Sequence, residues 1–545
     1  MQGNKLELKG LRIGSLPIID RFIERMKLRD LLIDAFDNPR YADALLLLLK
    51  NILVDRNALY AIEEWSNQYD PKLVSGGKIG DDRLARALDK LFFCDRATLQ
   101  TRIVLWMVKE FKLNLERIHN DTTSVTATGQ YANQDPRAIQ LKRGHSKDHR
   151  PDLKQLVYSL CVCSDGAVPV HFKSYDGNRT DDTIQLETWD SLRLLLQSPE
   201  FVYVGDSKLC VSSTLKKIDS EHGLFVTMVP RTRGEITEFT EELLSGEARW
   251  ERVLRKRSSR KQREFDTFEC AIGHYQLAEG YSLYWYRSSQ KKKRDSYDRK
   301  QRINRALDHL ENLDFRRGRG PKTEKAIRRR VEKILSRYSV QEWLSVEIKL
   351  EKEERFKALN RGKPTEDTLY RKTSKKRPKL IIRRNLEAIG KSKVMDGIFP
   401  LATNTKEKAR EVLKIYKYQP KLEKRHAMLK STLEVAPVWL KKNTRIEALM
   451  FVEYLAQMVA ALIERDLRNS MGKKKIEILN SLPESRPSRT PTIEQIIRLF
   501  DQRSRHELYN PSGTLMQTFT EPLTPVQSKI LSLLKIPETH YLTRV

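Results

Sequence analysis

Leu156-Val-Tyr-Ser-Leu-Cys-Val-Cys163 is an apolar run that leads through the turn tripeptide Ser164-Asp165-Gly166 into a second apolar run, Ala167–Tyr175. Asp-Gly favours the positive φ of a tight turn, so the three segments together predict a β-hairpin. Proline cannot donate a hydrogen bond to a neighbouring strand, so Pro169 predicts that the second strand lies at the edge of a sheet.

The residues after this hairpin predict one helix and two short strands. Thr180–Gln197 has apolar residues on one face and a Thr or Asp at its start, which is typical of a capped amphipathic helix. Phe201–Val204 is a short apolar run that ends in Gly205-Asp206, and Leu224–Val229 is another. A hairpin, a helix and two strands in this order favour a mixed α/β core.

The first part of the chain has a different pattern, because apolar residues recur there at three- and four-residue spacing. This spacing predicts a helical N-terminal domain, with helices at Leu16–Phe36, Tyr41–Leu53, Arg83–Phe93 and Leu99–Phe111. Two interpretations of this domain remain open, because none of its helices has a diagnostic recognition sequence. It is either a DNA-binding or dimerisation domain, or a plain helical cap on the core.

Shifts in composition divide the chain into five segments. The region after Leu224–Val229 is very polar and contains strand patterns of its own. It is rich in cations at 252–263 and 291–305. We therefore predict a helical N-terminal domain over 1–111, a core over 112–229, a basic, β-containing insertion domain over 230–394, a second part of the core over 395–470 and a C-terminal tail with short helices over 471–545.

The charge balance favours a polyanionic partner. Lys and Arg number 102 against 72 Asp and Glu, which gives a formal net charge of +30 and a pI near 9.7. Nucleic acid is the first expectation, because its binding releases counterions. We expect no membrane partner, since no run of about 18 apolar residues is present. The first ten residues lack the apolar segment of a secretory signal, so a cytoplasmic protein is expected.

The five cysteines are odd in number and do not form a disulfide framework. Cys161 and Cys163 lie in the first apolar run, where packing is the simpler interpretation. A zinc site with His145, His149 or His171 is the alternative, although no second Cys or His pair completes a standard ligand set.

Three carboxylates are candidate metal ligands. Asp121 opens Asp-Thr-Thr-Ser-Val125 at the expected end of a core strand, and Asp206 follows a clearer strand. Ligands bind at the carboxyl ends of such strands, so two aspartates there can converge. Glu423 stands between Tyr416 and Lys430 at seven-residue intervals, which is two helical turns and predicts one shared face. Taken singly, each aspartate could instead be a turn former and Glu423 a solvated side chain.

Several motifs in this order resemble the DDE transposases of prokaryotic insertion sequences, in the IS-four-like superfamily. His119-Asn-Asp-Thr-Thr-Ser124 resembles their first-aspartate motif, and Val202-Tyr-Val-Gly-Asp206 their second. Asp396-Gly-Ile-Phe-Pro-Leu-Ala-Thr-Asn404 resembles the strand that enters the glutamate helix. Gly144–Lys154 and Tyr175–Asp181 are also similar to stretches of these enzymes. The resemblance covers roughly residues 1 to 470 and implies an α/β fold with an RNase H-like mixed sheet core and an insertion domain before the catalytic glutamate.

The glutamate helix itself resembles the family pattern Tyr-x2-Arg-x3-Glu-x6-Lys, with Tyr416, Glu423 and Lys430 in place. Gln419 stands where the pattern has arginine. Lys417, Lys421 and Arg425 are the neighbouring cations that can replace its charge.

The resemblance implies metal-dependent cleavage at insertion-sequence ends, followed by strand transfer of the 3′-hydroxyl into target DNA. Asp121, Asp206 and Glu423 would be the catalytic residues and would hold two Mg²⁺ ions, with Mn²⁺ as a possible substitute. Tyr416, Lys430, Lys421 and Arg425 would contact DNA. The partners would be double-stranded DNA, as terminal inverted repeats and target, and a second copy of the chain in a homodimer. The location would be the prokaryotic cytoplasm, in association with the nucleoid.

Two other functions remain open. An RNase H-like DNA nuclease would use the same metals without strand transfer. A basic DNA-binding protein with a decayed catalytic site would need none of the three carboxylates, although all three are present.

Overall fold

The chain divides into two compact units in a computed structural model, which describes residues 6–74, 79–148, 150–257, 264–313, 323–359, 362–366, 368–433 and 440–542. Unit 1 comprises Met1–Met228, Thr403–Glu407 and Glu411–Val545, and unit 2 comprises Val229–Ala402 and Lys408–Arg410. His149 and residues 258–263 of the predicted basic run lie outside the described residues.

The chain is a mixed α/β protein, as predicted, with helices and strands along its whole length. The α-helices are α1 Leu16–Arg25, α2 Leu28–Phe36, α3 Pro39–Val54, α4 Ile62–Ser66, α5 Asp81–Phe93, α6 Arg96–Phe111, α7 Asp181–Leu196, α8 Ser212–Ser220, α9 Gly234–Ser245, α10 Ser289–Glu311, α11 Glu324–Tyr338, α12 Leu386–Val394, α13 Ala409–Tyr416, α14 Gln419–Ala427, α15 Asn443–Lys473, α16 Ile493–Phe500 and α17 Pro525–Leu534. The strands are β1 Glu7–Arg12, β2 Arg117–Ala127, β3 Lys154–Cys163, β4 Pro169–Asp176, β5 Val202–Gly205, β6 Leu224–Met228, β7 Trp250–Arg257, β8 Phe265–Ala271, β9 Tyr275–Gln276, β10 Ser282–Ser288, β11 Leu344–Ala358, β12 Tyr370–Arg384, β13 Ile398–Thr403, β14 Ser504–Tyr509 and β15 Leu515–Thr520.

The main sheet of unit 1 has the strand order β4-β3-β2-β5-β6. β2 and β4 run antiparallel to β3, whereas β5 runs parallel to both β2 and β6. The predicted hairpin is confirmed as β3 and β4, and Gly166 in its turn has φ +84°. β4 lies at one end of this strand order, as Pro169 predicted.

The long helix α15 forms the centre of unit 1. It packs against α3 and α5 on one side and against β4 on another. The contact with the sheet is aromatic, since Phe172 of β4 stacks on Tyr454 with ring centroids 4.8 Å apart. By length and hydropathy α15 passes the test for a membrane span, but 89% of its most apolar stretch is buried inside the protein, which is typical of a core helix.

The C-terminal segment contains a hairpin that the sequence analysis did not predict. β14 pairs with β15, and β1 adds to the other side of β14 over Glu7–Arg12 and Ser504–Tyr509. The guanidinium of Arg505 pairs with Asp70 at 2.7 Å. Residues near both ends of the chain therefore pack within unit 1.

Unit 2 has its own strand order, β13-β10-β8-β7, with β9 paired to β10. α10 and α11 pack together around Ile303, Leu310, Val331 and Ile334. β11 and β12 form a separate antiparallel ribbon. β11 begins at Leu344 and extends to Ala358, and the basic Lys375-Lys-Arg-Pro378 segment lies within β12.

Candidate active site

The two aspartates lie level with each other, Asp121 within β2 and Asp206 directly after the end of its parallel neighbour β5. The register of β2 and β5 pairs Ile118 with Tyr203 and His119 with Val204. Asp121 and Asp206 each follow two residues later, and neighbouring strands are about 4.8 Å apart. The fold therefore brings these two carboxylates to one place on the sheet of unit 1.

Asp121 does not end its strand, contrary to expectation. β2 continues to Ala127, because Thr122, Thr123, Val125 and Thr126 are β-branched strand formers. Its parallel neighbour β5 stops at Gly205, so from Asp121 onward β2 is paired with β3 on one side. The end of β5 leaves space beside Asp121 for another group.

The carboxylate of Asp121 is faced by three hydrogen-bond donors or cations. The Thr122 amide donates to Oδ1 at 2.8 Å, Lys147 Nζ lies 3.7 Å from Oδ1, and His426 Nδ1 lies 3.6 Å from Oδ2. Burial alone raises the pKa of Asp121, but His426, Lys147 and the amide together outweigh burial and lower it. Asp121 is therefore ionised at neutral pH.

Asp206 is held by the turn that follows β5. Its Oδ1 accepts the amide of Lys208 at 2.9 Å, and its backbone carbonyl accepts the hydroxyl of Thr227 at 2.7 Å. The side chain is half-buried. These bonds fix the backbone from which the second carboxylate extends.

The helix that carries Glu423 is divided into two. α13 ends at Tyr416, Lys417 and Tyr418 form a turn, and α14 begins at Gln419 with Pro420 in its first turn. Residues Met428–Thr432 then form a π-helix that includes Lys430. One continuous helical face through Tyr416, Glu423 and Lys430 was expected and is wrong, because the break and the π-turn change the angle between successive residues.

Gln419 fixes the start of α14 on β2. Its Nε2 donates to the carbonyl of Asn120 at 2.9 Å, and its Oε1 lies 3.0 Å from His119 Nδ1. Burial lowers the pKa of His119 to about 4, although the bond to Gln419 opposes this shift. The neutral imidazole donates Nδ1–H to Gln419. The residue at the family's arginine position thus has an internal, structural role here.

Arg425 fixes the other end of α14. Its side chain is 7% exposed, donates to the carbonyls of Ala167 and Gly166 at 3.0 and 3.1 Å, and pairs with Glu464 at 3.0 Å. These contacts join α14 to the turn of the β3–β4 hairpin and to α15. Its guanidinium faces protein atoms, which gives this predicted DNA contact a structural role.

The pKa of Tyr416 depends on all three predicted carboxylates. Its side chain is half-buried, and burial is the largest cause of a pKa raised far above that of free tyrosine. The negative charges of Asp206, Glu423 and Asp121, in that order, raise it further. All three predicted carboxylates therefore act on one phenol, which stays neutral at every physiological pH.

Glu423 is exposed on α14, one turn before His426. Oxygen donors of this kind suit Mg²⁺. Among the described residues, however, no three His, Cys, Asp or Glu side chains lie close enough to hold one metal ion. The donor types fit the ion, but the arrangement is open. Cys161 and Cys163 are buried in β3, as the packing interpretation predicted.

The two predicted DNA-contacting lysines differ in their surroundings. Lys430 pairs with Asp148, so its ammonium is held against the loop before β3. Lys421 is exposed and lines a cleft of about 270 Å³ with Tyr418, Lys424 and Arg468. This cleft gives α14 a basic outer surface.

The sequence analysis did not single out His426, and it named Lys147 only within the Gly144–Lys154 motif. The available signal was spacing, since Glu423 and His426 are three residues apart on a helix and share a face. The contact of Lys147 with Thr122, through the carbonyl at 2.6 Å, joins two segments 25 residues apart and has no local signal.

Comparisons with known proteins include a distant similarity to a solved structure. No family model matches the chain, and no curated protein matches it. A solved structure of the piggyBac transposase synaptic complex with hairpin DNA is similar over 50% of this chain and 59% of that chain, with 11% sequence identity and a TM-score of 0.27. The resemblance to insertion-sequence enzymes therefore stays a prediction.

Proposed function

We propose that the chain is a DNA transposase that cuts and joins phosphodiester bonds at Asp121, Asp206 and Glu423. The single observation that carries the proposal is the placement of these three carboxylates: Asp121 on β2 and Asp206 after β5 stand at one level, and α14, which carries Glu423, is bound to β2 through Gln419. They come from two strands and a helix that are up to 302 residues apart in the chain. Structural ion pairs do not need three acids brought together from distant segments, whereas a metal-dependent phosphodiester site does.

The strand arrangement supports an RNase H-like core. Three antiparallel strands followed in space by two parallel ones, in the order β4-β3-β2-β5-β6, match what that interpretation requires. The first aspartate stands on the central strand of this set and the second follows its parallel neighbour. α14 lies against β2 through Gln419, which brings Glu423 to the same side.

Two divalent ions, Mg²⁺ or Mn²⁺, bound by these carboxylates would activate the attacking hydroxyl and neutralise the leaving oxygen. Asp121 contributes a ligand that is already ionised, because the pKa of its carboxyl is lowered by its neighbours. The neutral Tyr416 can donate a hydrogen bond to a phosphate oxygen.

The reaction proceeds in two displacements. Water first attacks the phosphodiester at an element end and frees a 3′-hydroxyl. That hydroxyl then attacks target DNA, so one phosphodiester forms as another breaks and no oxidant or covalent protein intermediate is required. Because two element ends must be brought together before they are cut and joined to the target, we expect the active form to be at least a dimer on DNA.

The test uses duplexes that carry the DNA flanking the reading frame on both sides, which would contain imperfect inverted repeats. We expect Mg²⁺-dependent nicking by the natural chain and a loss of about 10²–10³-fold or more in Asp206→Asn and Glu423→Gln, the range for removing one preorganised charged group. Glu411→Gln on α13 is the matched control and should retain activity. Equal cleavage by all three variants would refute the site.

Pre-cleaved ends separate transposition from simple hydrolysis. Duplexes with free 3′-hydroxyls should be joined to a supercoiled plasmid in Mg²⁺. Nicking without joined product would identify a nuclease. DNA binding with neither reaction would identify a protein that only binds DNA.

A further inference from the structure

The ribbon of β11 and β12 is the longest paired element of unit 2. The two strands face each other over fifteen positions, from Leu344 opposite Arg384 to Ala358 opposite Tyr370. At about 3.4 Å per residue it is roughly 50 Å long.

Only the first half of the ribbon is packed. Val346, Ile348, Leu380 and Ile382 lie against the apolar cluster of α10 and α11. Apolar burial therefore holds the base of the ribbon in place and leaves its outer half without a core of its own.

The described side chains of the outer half are mostly exposed to solvent. Phe356 and Tyr370 are 63% and 50% exposed, and the side chains of Lys352, Lys357 and Arg371 are exposed as well. An isolated two-stranded hairpin is at best marginally stable in water. The outer half is about 26 Å long, with eight residues in each strand. A partner surface that covers it would therefore stabilise it.

The charge of the ribbon is strongly uneven. β12 contains eight Lys and Arg and no acidic residue in its fifteen positions. Lys349 stands directly opposite Lys379, and Lys357 directly opposite Arg371. Like charges opposite each other destabilise a strand pair.

Lys352 opposite Lys376 is a third like-charge pair, and the innermost and outermost of the three pairs differ in their surroundings. Glu347 and Glu351 lie beside the inner pair, at 3.9 Å from Lys349 and 2.8 Å from Lys379. Within the described part of the chain, no acidic side chain forms an ion pair with Lys357 or Arg371. The outer pair therefore lacks the compensation that the inner pair has, and an anionic partner would supply it.

We propose that the outer half of this ribbon binds duplex DNA by lying in its major groove, with Lys357 and Arg371 on the phosphates at the groove edges. The major groove, about 12 Å wide, admits a two-stranded β-ribbon, whereas the deep, narrow major groove of duplex RNA does not. The choice of DNA as the polyanion rests on the proposed function. The binding itself needs neither metal nor catalysis.

The first experiment measures DNA affinity against salt for the full chain in EDTA, in an Asp206→Asn background so that cleavage plays no part. We expect Lys352→Gln/Lys357→Gln/Arg371→Gln, which removes three exposed charges of the outer half, to lower the slope of log K against log salt by about 3 and the affinity by about a hundredfold at about 0.15 M salt. The control Lys473→Gln/Lys474→Gln/Lys475→Gln removes three exposed charges at the end of α15. An equal effect of both triple variants would overturn the proposal, since it would show only general attraction.

The second experiment replaces residues 352–376 by Asn-Gly, which keeps the packed base of the ribbon. We expect weaker binding to duplex DNA, no change for duplex RNA, and an unchanged oligomeric state by light scattering without DNA. Loss of a dimer with unchanged DNA affinity would assign the ribbon to a contact between copies and overturn the proposal, and so would equal loss of RNA binding. Neither assay measures cleavage. A negative result for the ribbon therefore does not contradict the carboxylate site, and an inactive carboxylate site does not change the binding results.

Discussion

Gln419→Leu should loosen the glutamate helix from the sheet. The substitution keeps most of the side-chain volume but removes the bonds to the Asn120 carbonyl and to His119. Both partners are buried, and His119 Nε2 already lies among buried atoms without a hydrogen-bond partner. Each lost bond leaves one buried polar group unsatisfied at about 1–2 kcal/mol, so local stability should fall by about 2–4 kcal/mol.

Hydrogen exchange measures this loss locally, which suits a chain with two units better than global unfolding does. A fall of about 2–4 kcal/mol corresponds to exchange about 30-fold to several hundredfold faster for the amides of α14. The control Gln341→Leu removes an exposed side chain that bonds Ser336 and should leave α14 unchanged.

A double variant separates packing from hydrogen bonding. His119→Phe with Gln419→Leu replaces both side chains by apolar groups, so it should cost less than the sum of the two single variants. Unchanged exchange in Gln419→Leu would refute the argument that this residue fixes α14 on β2. Additive costs in the double variant would refute the buried-polar explanation.

Three further outcomes follow from buried or polar groups. Burial raises the pKa of Glu453 well above 4.5, so the natural chain loses stability as pH rises from 4.5 toward that folded value, by up to about 1.4 kcal/mol per pH unit. Glu453→Gln stays neutral, so its thermal midpoint relative to that of the natural chain should rise between pH 5 and 8. A constant difference between the two midpoints would contradict the burial of Glu453. Asp396→Ala leaves the buried Arg299 without its carboxylate and should destabilise unit 2 by about 3–5 kcal/mol. Hydrogen exchange of the α10 amides measures this loss, with the exposed Glu387→Ala as control. Unaltered exchange in Asp396→Ala would refute the role of this buried ion pair. Tyr416→Phe keeps the packing but removes the hydroxyl, so cleavage should slow by about tenfold or more at unchanged DNA affinity, and a fully active variant would exclude a contact with the phosphate.

Local patterns predicted the elements whose cause is local. The β3–β4 hairpin followed from Asp165-Gly166 and from apolar runs, and α7 followed from its periodicity. The edge position of β4 followed from one proline. In each case the physical reason is contained within about twenty residues, so the sequence alone was enough.

The errors have several causes. The division of the glutamate helix had a local signal that was not used, since Pro420 inside the helical pattern ends the helix before it, and the bond of Gln419 to β2 about 300 residues away adds a tertiary cause. The β14–β15 hairpin was missed although Asn510-Pro-Ser-Gly513 is a turn signal, because its strands are short and partly exposed. The outer half of the β11–β12 ribbon was not predicted, because its charged residues lack apolar alternation.

For the site, the sequence supplied the three acids and the structure supplied their surroundings. Order along the chain and strand ends were enough to select Asp121, Asp206 and Glu423. Their neighbours Lys147 and His426 come from distant segments, and the local signal for His426 was spacing alone. The roles of Gln419 and Arg425 in fixing α14 depend on tertiary contacts and were not predictable from spacing.

The most direct test of the metal site is a change of metal preference. A cysteine thiolate binds softer ions than a carboxylate does, so Asp206→Cys should lose DNA cleavage in Mg²⁺ and regain it in Mn²⁺, while the surface control Asp152→Cys keeps activity in both ions. Full Mg²⁺-dependent cleavage by Asp206→Cys would contradict the account, because that carboxylate would then hold no metal during the reaction.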